Sequence, residues 1–302
     1  MARTWLVAVA AIGVLAATWV LGSPKAPADG GPLASHRAVY DLKLGRTTQK
    51  SHINGARGRL VVEWEAKCDG FITNQRLYTE FLTDEGGATV SDIWLSSWEA
   101  RDGSLFRFTL TSMTNGEVDE KVTGEARPGA KISPTTPGTK ASPVAGEAVY
   151  TEPAGNRISL PAGVLFPTAH MIALIDAARN GQRTIERPVF DGSRKNGLSD
   201  VGAFIGPVQG PGEEKEARTV KNASRLLAGR SWPVRLAFFA PTKVDNAPDY
   251  EFAYRMYENG VATGLVFDYG DFVVNGTLSK IEPLTGCDSP QPQTTSTAKS
   301  KP

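Results

Sequence analysis

Few residues of this chain are suited to chemistry. It holds 2 cysteines and 3 histidines in 302 residues, and thiol and imidazole are the side chains best able to act as nucleophile, metal ligand or base near neutral pH. Cys68 lies in E-W-E-A-K-C-D-G-F, one step before an Asp-Gly turn signal. A thiol there can be a nucleophile, a metal ligand, a buried filler or half of a disulfide with Cys287. A catalytic thiol needs a base beside it and a depressed pKa, and none of His36, His52 and His170 stands in a recognisable cysteine-protease context. His170 follows Phe166-Pro167-Thr168 in the first turn of an expected helix, where a general base is conceivable. The reading we favour is an imidazole that helps cap the helix or packs at a sheet rim.

Other signatures are missing. The sequence has no Gly-x-Ser-x-Gly elbow, no His-Glu-x-x-His helix, no Walker loop and no dinucleotide fingerprint, so the local frames of the common hydrolases and nucleotide enzymes are absent. Three histidines give no metal set of convincing spacing, and the acidic residues are scattered. No catalytic residue, no metal and no cofactor is therefore expected.

The compartment narrows the reading of Cys68. Leu6 to Leu21 is uncharged and follows a short segment carrying Arg3, the layout of a secretory signal. We expect a signal peptide over residues 1–28, cut after Ala26-Pro27-Ala28, with Val20-Leu21-Gly22 as a second candidate site; a retained anchor is the alternative. No cysteine lies near this run, which argues against a bacterial lipoprotein anchor. With no second long apolar segment, the rest is expected to be exported and soluble after signal cleavage. Basic and acidic residues number 33 and 32, a balance that argues against nucleic acid, since phosphate neutralisation needs a basic patch. In an oxidising compartment two cysteines pair more often than not. A Cys68–Cys287 disulfide is the expectation, closing nearly the whole mature domain into one loop worth about 5 kcal/mol of chain entropy.

From Ala34 onward the pattern has period two. A-V-Y-D-L-K-L, R-L-V-V-E-W-E-A, F-I-T-N-Q-R-L-Y-T-E-F-L and A-T-V-S-D-I-W-L-S-S-W-E-A alternate apolar and polar residues with β-branched and aromatic enrichment, as half-buried strands do. Asp69-Gly70, Gly86-Gly87, Asp102-Gly103 and Asn115-Gly116 fall at hairpin spacing. Glu125 to Val144 is rich in proline and glycine and reads as a long exposed loop, an excursion between strands of one sheet.

One helix is clear in H-M-I-A-L-I-D-A-A-R-N-G, with Thr168 as N-cap and Gly181 as terminator. A Gly-Pro link follows around Gly206 to Gly212. Further strands then include a hairpin turning at Glu258-Asn259-Gly260 and a final strand pair around Asn275-Gly276. Asn222-Ala-Ser224 and Asn275-Gly-Thr277 match glycosylation sequons, which matter only in a eukaryotic secretory pathway. Trp64, Trp94, Trp98 and Trp232 read mainly as core; the alternative is a hydrophobic cavity within a curved sheet. The whole is mainly β, a dozen or so strands in a curved, barrel-like sheet. It forms a single domain over residues 34–287 and ends in a disordered tail over 288–302.

The order of landmarks resembles one family. H-R-A-V-Y-D-L, W-E-A-K-C-D-G-F, S-D-I-W-L-S-S-W-E-A-R-D-G, L-P-A-G-V-L-F-P-T-A-H-M-I-A-L-I-D-A-A, F-D-G-S, the Tyr-rich hairpin and the terminal cysteine are similar to the EipB family of periplasmic cell-envelope integrity proteins. The resemblance spans His36 to Cys287. It implies a β-spiral, antiparallel strands winding into a barrel-like cavity like the LolA and LolB half-barrels, with one or two helices. It also implies a disulfide mapped onto Cys68 and Cys287, joining first and final strands that would otherwise be free to separate. The implied role is non-enzymatic support of the envelope under stress, with a periplasmic tetratricopeptide-repeat protein as partner. The competing expectation is a carrier that binds a lipid, a lipoprotein acyl chain or a hydrophobic peptide in the barrel; a hydrolase with an unrecognised site ranks below both.

Overall fold

The computed structural model describes residues 33–129, 145–193, 196–211, 215–241 and 247–287. The expected signal peptide and tail therefore lie outside the described residues, as does most of the proline-rich stretch between 130 and 144. Fourteen strands form one sheet in the order β8-β7-β6-β5-β4-β3-β2-β1-β14-β13-β12-β11-β10-β9. They are β1 (His36–Thr47), β2 (Ile53–Ala66), β3 (Gly70–Thr83), β4 (Ala88–Ala100), β5 (Phe106–Thr114), β6 (Glu117–Arg127), β7 (Gly146–Glu152) and β8 (Arg157–Leu160), followed by β9 (Thr184–Phe190), β10 (Leu198–Ile205), β11 (Ser231–Phe239), β12 (Tyr250–Tyr257), β13 (Ala262–Asp268) and β14 (Phe272–Pro283). Every neighbouring pair is antiparallel. The expected mainly β, barrel-like spiral is what the chain forms.

Local sequence explains the meander. At β5–β6 the backbone reverses through Asn115 and Gly116, with φ of 53° and 86°, the left-handed pair that a two-residue hairpin needs and that Asn-Gly best supplies. Asn275-Gly276 does not turn: both residues run within β14, and the reversal lies before the strand begins, around Gly270, whose φ is 84°. A Cβ at Gly276 would meet Leu42 and Leu265 at 3.1 Å, so this glycine permits close packing. Arg127 pairs with Glu147 across β6 and β7, which makes the proline-rich stretch an excursion between adjacent strands.

The free edges are not those expected. First and last strands pair along their length, His36 opposite Pro283 to Thr47 opposite Phe272; the ends of the sheet are β8 and β9. They approach at a seam where Leu165 bridges β9: its N–H donates to Pro188 O at 2.9 Å, and the Phe190 N–H donates to Leu165 O at 3.0 Å. Cys68, in the β2–β3 turn, is joined to Cys287, just past β14, with Cα atoms 5.2 Å apart at a sequence separation of 219. The Cys287 N–H donates to Ala66 O at 2.8 Å. The bridge thus ties the middle of the sheet, across the end of β1, and leaves the edges alone.

Helix α1 (Pro167–Arg179) lies inside the curve, with Leu174, Ile175, Ala177 and Ala178 packed against β9 to β12. On another side Met171 and Ile172 meet Trp64 and Phe71. Gly181, with φ of 73°, donates its N–H to Ala178 O and ends the helix as expected. The start differs: Phe166 occupies the N-cap position without a side-chain cap bond, and Pro167 opens the helix. Proline is favoured there because its φ is preset and its missing N–H would have had no partner, so Thr168 stands at the second helical position, two past the N-cap. Two short helices, α2 (Lys215–Thr219) and α3 (Ala223–Leu226), occupy the link after β10. None of the described helices is long and apolar enough to cross a membrane.

Closing a loop of 219 residues restricts the unfolded chain strongly, by about 5 kcal/mol in the chain-entropy model. Cys287→Ser is expected to lower unfolding free energy in a denaturant titration by about 2–5 kcal/mol. Equal midpoints for the oxidised and reduced wild type would contradict a stabilising role.

Candidate functional site

Period two sends one face of each strand into the spiral. On β2 the inward residues are Leu60, Val62, Trp64 and Ala66; on β12 they are Tyr250, Phe252, Tyr254 and Met256. Between β12 and β13 a register shift at Ala253 and Arg255, beside Gly264 with φ of 59°, turns Leu265 and Phe267 inward as well. Phe252 and Tyr254 border two separate apolar clusters, one around β1, β2, β13 and β14 and the other around α1 and β9 to β12. The clusters do not fuse. A cavity of about 380 Å³ is left between them, bounded by these residues and by the first two turns of α1.

Its wall is apolar with a few polar groups. Thr73 and Gln75 come from the inward face of β3, and Gln75 is exposed to solvent although it faces inward, which places the mouth there. Thr168 and His170 come from α1 and Asp191 from the turn after β9. Burial alone pushes the Tyr254 hydroxyl well above the ordinary tyrosine range.

The first turn of α1 is held by a residue that sequence reading passed over. Glu99, on the inward face of β4 between Phe71 and Phe106, is only 3% exposed. Its carboxylate accepts the N–H of Thr168 at 2.7 Å and that of Ala169 at 2.8 Å. These are two of the helix donors that have no partner within the helix, and the positive end of the helix favours a negative charge there. Desolvation nevertheless outweighs the hydrogen bonds and raises the Glu99 pKa to about 7. One signal was available. In S-D-I-W-L-S-S-W-E-A, Ile93, Leu95 and Glu99 share a phase, so the strand pattern puts a carboxyl on its core side.

His170 sits one residue beyond this contact. It is 6% exposed, and its Nε2 is buried with no hydrogen-bond partner. It packs in the first turn without satisfying a helix donor through that nitrogen, so the capping role is not what the structure shows. Desolvation, helped by the charge of Arg187, lowers its pKa to about 4, which leaves a neutral imidazole that is a weak base at neutral pH. His36 is also buried, its Nδ1 2.6 Å from Ala34 O, and its pKa is lowered by desolvation. Cys68 and Cys287 stand apart from the cavity wall, and among the described residues no three His, Cys, Asp or Glu side chains converge as metal ligands.

The outer face carries a different feature. Arg57, Arg59, Arg76 and Tyr78 line a groove of about 500 Å³ across β2 and β3. Beside it Trp94, expected in the core, is 46% exposed, with the Arg76 guanidinium 4.1 Å from its ring centre. The Arg76–Asp92 and Arg57–Glu80 ion pairs, each at 2.9 Å, flank the groove.

Comparison with known proteins gives consistent matches. A family profile described as EipB-like matches residues 27–285. The cell envelope integrity protein EipB of Brucella abortus (strain 2308) is 31% identical over 280 residues, covering 91% of this chain and 94% of that one. A crystal structure described as a beta-barrel-like protein of domain of unknown function DUF1849, also from Brucella abortus, superposes with a TM-score of 0.71 at 30% identity, over 84% of this chain and 99% of that one.

The two buried groups titrate in opposite senses. Glu99, raised from 4.5 to about 7, is protonated more readily when folded, so its contribution to stability is full below pH ~4.5 and lost as pH rises to ~7. His170, lowered from 6.5 to about 4, contributes stability that is present above pH ~6.5 and lost as pH falls towards ~4. The wild type is expected to vary little between pH 4.5 and 6.5. In Glu99→Gln only the histidine trend remains, and stability relative to wild type should climb by about 3 kcal/mol from pH 4.5 to 7. Chemical denaturation across that range checks this; a pH-independent difference would contradict it.

Proposed function

The chain belongs to the EipB-like family, and from that premise we propose that it maintains the integrity of the cell envelope as a non-enzymatic periplasmic protein, by holding an apolar guest inside its spiral. The cavity of about 380 Å³ between the two apolar clusters carries this reading. Its size falls within the range of small-molecule sites, and its walls have their mix of many apolar and few polar groups. Protein interiors ordinarily close such spaces, because unfilled volume forfeits dispersion contacts. A lipid tail, an acyl chain of a lipoprotein or a short hydrophobic peptide would restore them. Enzymatic action finds no support in a neutral, weakly basic His170 and a Glu99 whose oxygens are both engaged by the helix.

Partner binding belongs to the same proposal and rests on the outer face. Arginine, tyrosine and tryptophan are the side chains enriched at interaction hot spots, and Trp94, Arg76 and Tyr78 display all three beside a groove. A periplasmic tetratricopeptide-repeat protein docking there would connect the loaded spiral to other envelope components.

Native mass spectrometry of the protein released gently from its own envelope is expected to show one apolar molecule per chain. Val62→Trp, which projects a large ring into the cavity, should abolish it with little change in melting temperature. Consistently empty wild-type protein would overturn the reading. For the outer face, Trp94→Ala is expected to weaken binding of the purified repeat protein more than tenfold, the loss of a hot-spot residue, while an unchanged affinity would move the interface elsewhere.

A further inference from the structure

We propose that His36 selects the guest of the spiral: its Nε2 accepts a hydrogen bond from an O–H or N–H group at the head of an amphiphile whose tail runs towards Leu265 and Phe267. This rests on the cavity reading above and adds to it the residue that reads the head. His36 opens β1 with its side chain on the inner face, where it lines the cavity, and it is only 4% exposed. Its hydrogen bond joins Nδ1 to Ala34 O at 2.6 Å. A carbonyl oxygen only accepts, so Nδ1 carries the ring proton. Desolvation lowers the pKa of the ring and keeps it neutral at pH 7.5. Nε2 is thereby fixed as an acceptor, and it has no partner. Nor is it sealed off. Among the described residues, the side-chain nitrogen and oxygen atoms that are both closed to solvent and unpartnered are His170 Nε2 and Arg255 Nε. His36 Nε2 is not one of them, so it keeps some accessible surface, and the cavity is the space that His36 lines.

The register sets the direction of the guest. His36 stands opposite Trp64, and Trp64 opposite Thr73, so the three share one row across β1, β2 and β3. Gln75, at the mouth, is the next inward residue on β3. Six residues further along β1, a rise of about 20 Å, Leu42 lies opposite Gly276, and Gly276 opposite Leu265. The strand side chains of the wall towards that end include Leu265, Phe267 and Phe252, all apolar. A head at His36 therefore sits beside the mouth, with the tail directed away from it. Thr73, Gln75 and Tyr254 on the same wall can each donate or accept and place no demand on the head. The demand comes from His36, which can only accept. A guest without a donor would expel water from Nε2 and leave it unpaired, and sites built to hydrogen-bond a group discriminate strongly against analogues that lack it.

The test titrates two isomers into the delipidated protein at pH 7.5: 1-dodecanol, which donates, and 1-methoxyundecane, whose ether oxygen only accepts. The wild type is expected to bind dodecanol about tenfold more tightly, one hydrogen bond's worth. His36→Phe, which keeps a ring but removes the acceptor, should abolish that preference by weakening dodecanol while leaving the ether unchanged. A purely structural histidine would weaken both isomers alike. A second measurement needs no variant. In protein labelled with 15N at histidine, the Nε2 resonance of His36 should move when dodecanol is added and stay in place with the ether. Equal affinities of the wild type for the two isomers, or an Nε2 resonance unmoved at saturating dodecanol, overturns this inference while leaving the cavity reading intact. Binding of neither isomer overturns both.

Discussion

A carboxylate buried in a sheet is costly unless something meets it, and here the something is the start of a helix. Glu99 takes the N–H groups of Thr168 and Ala169, so β4 and α1 are joined at a point where each would otherwise carry an unsatisfied polar group. Pro167 helps by removing one donor and presetting the turn. The position of α1 inside the spiral follows. With its first turn fixed to β4, its apolar face reaches β9 to β12 through Leu174 and Ile175, and Met171 and Ile172 reach Trp64 and Phe71. This pair of hydrogen bonds thus sets the direction of the helix packed inside the spiral.

The cavity beside it stays open for a related reason. A fourteen-stranded sheet encloses more room than one 13-residue helix can occupy, and α3 packs with the far cluster at Ala223 and Leu226 rather than in the gap. Phe252 and Tyr254 bridge the two clusters along one wall only. The Cys68–Cys287 bridge and the pairing of β1 with β14 hold the centre of the sheet, so collapse onto the gap would distort the best-connected strands. The space is a consequence of the architecture and not of a missing side chain.

Much of this was legible in the order of residues. Alternation over Ala38 to Leu44 and Gly-containing turns such as Asn115-Gly116 foretold strands and hairpins because side-chain period and positive φ are local properties. The helix and its end at Gly181 were visible for the same reason. What escaped was non-local. Asn275-Gly276 carries a turn dipeptide yet lies inside β14, since packing of Leu42 and Leu265 required a residue without a Cβ there. The pairing of first and last strands, which moves the free edges to β8 and β9, is set by closure of the whole sheet. Of the site, His170 was noticed but its orphaned nitrogen was not, and Glu99 was lost among scattered acids because its partner lies 69 residues away. Trp94 reads as core in the sequence, and its exposure depends on which face of β4 turns outward, which alternation alone does not decide.

The space between α1 and the strands β2, β12 and β13 is expected to receive an apolar chain. Intermolecular NOEs between a perdeuterated, methyl-labelled protein and protonated 1-dodecanol test it most directly. Contacts are expected from the alkyl protons to the methyl groups of Leu60, Val62, Met171 and Leu265. Contacts confined to outward methyl groups such as those of Leu82 and Val118, or no contacts at saturating alcohol, would contradict it.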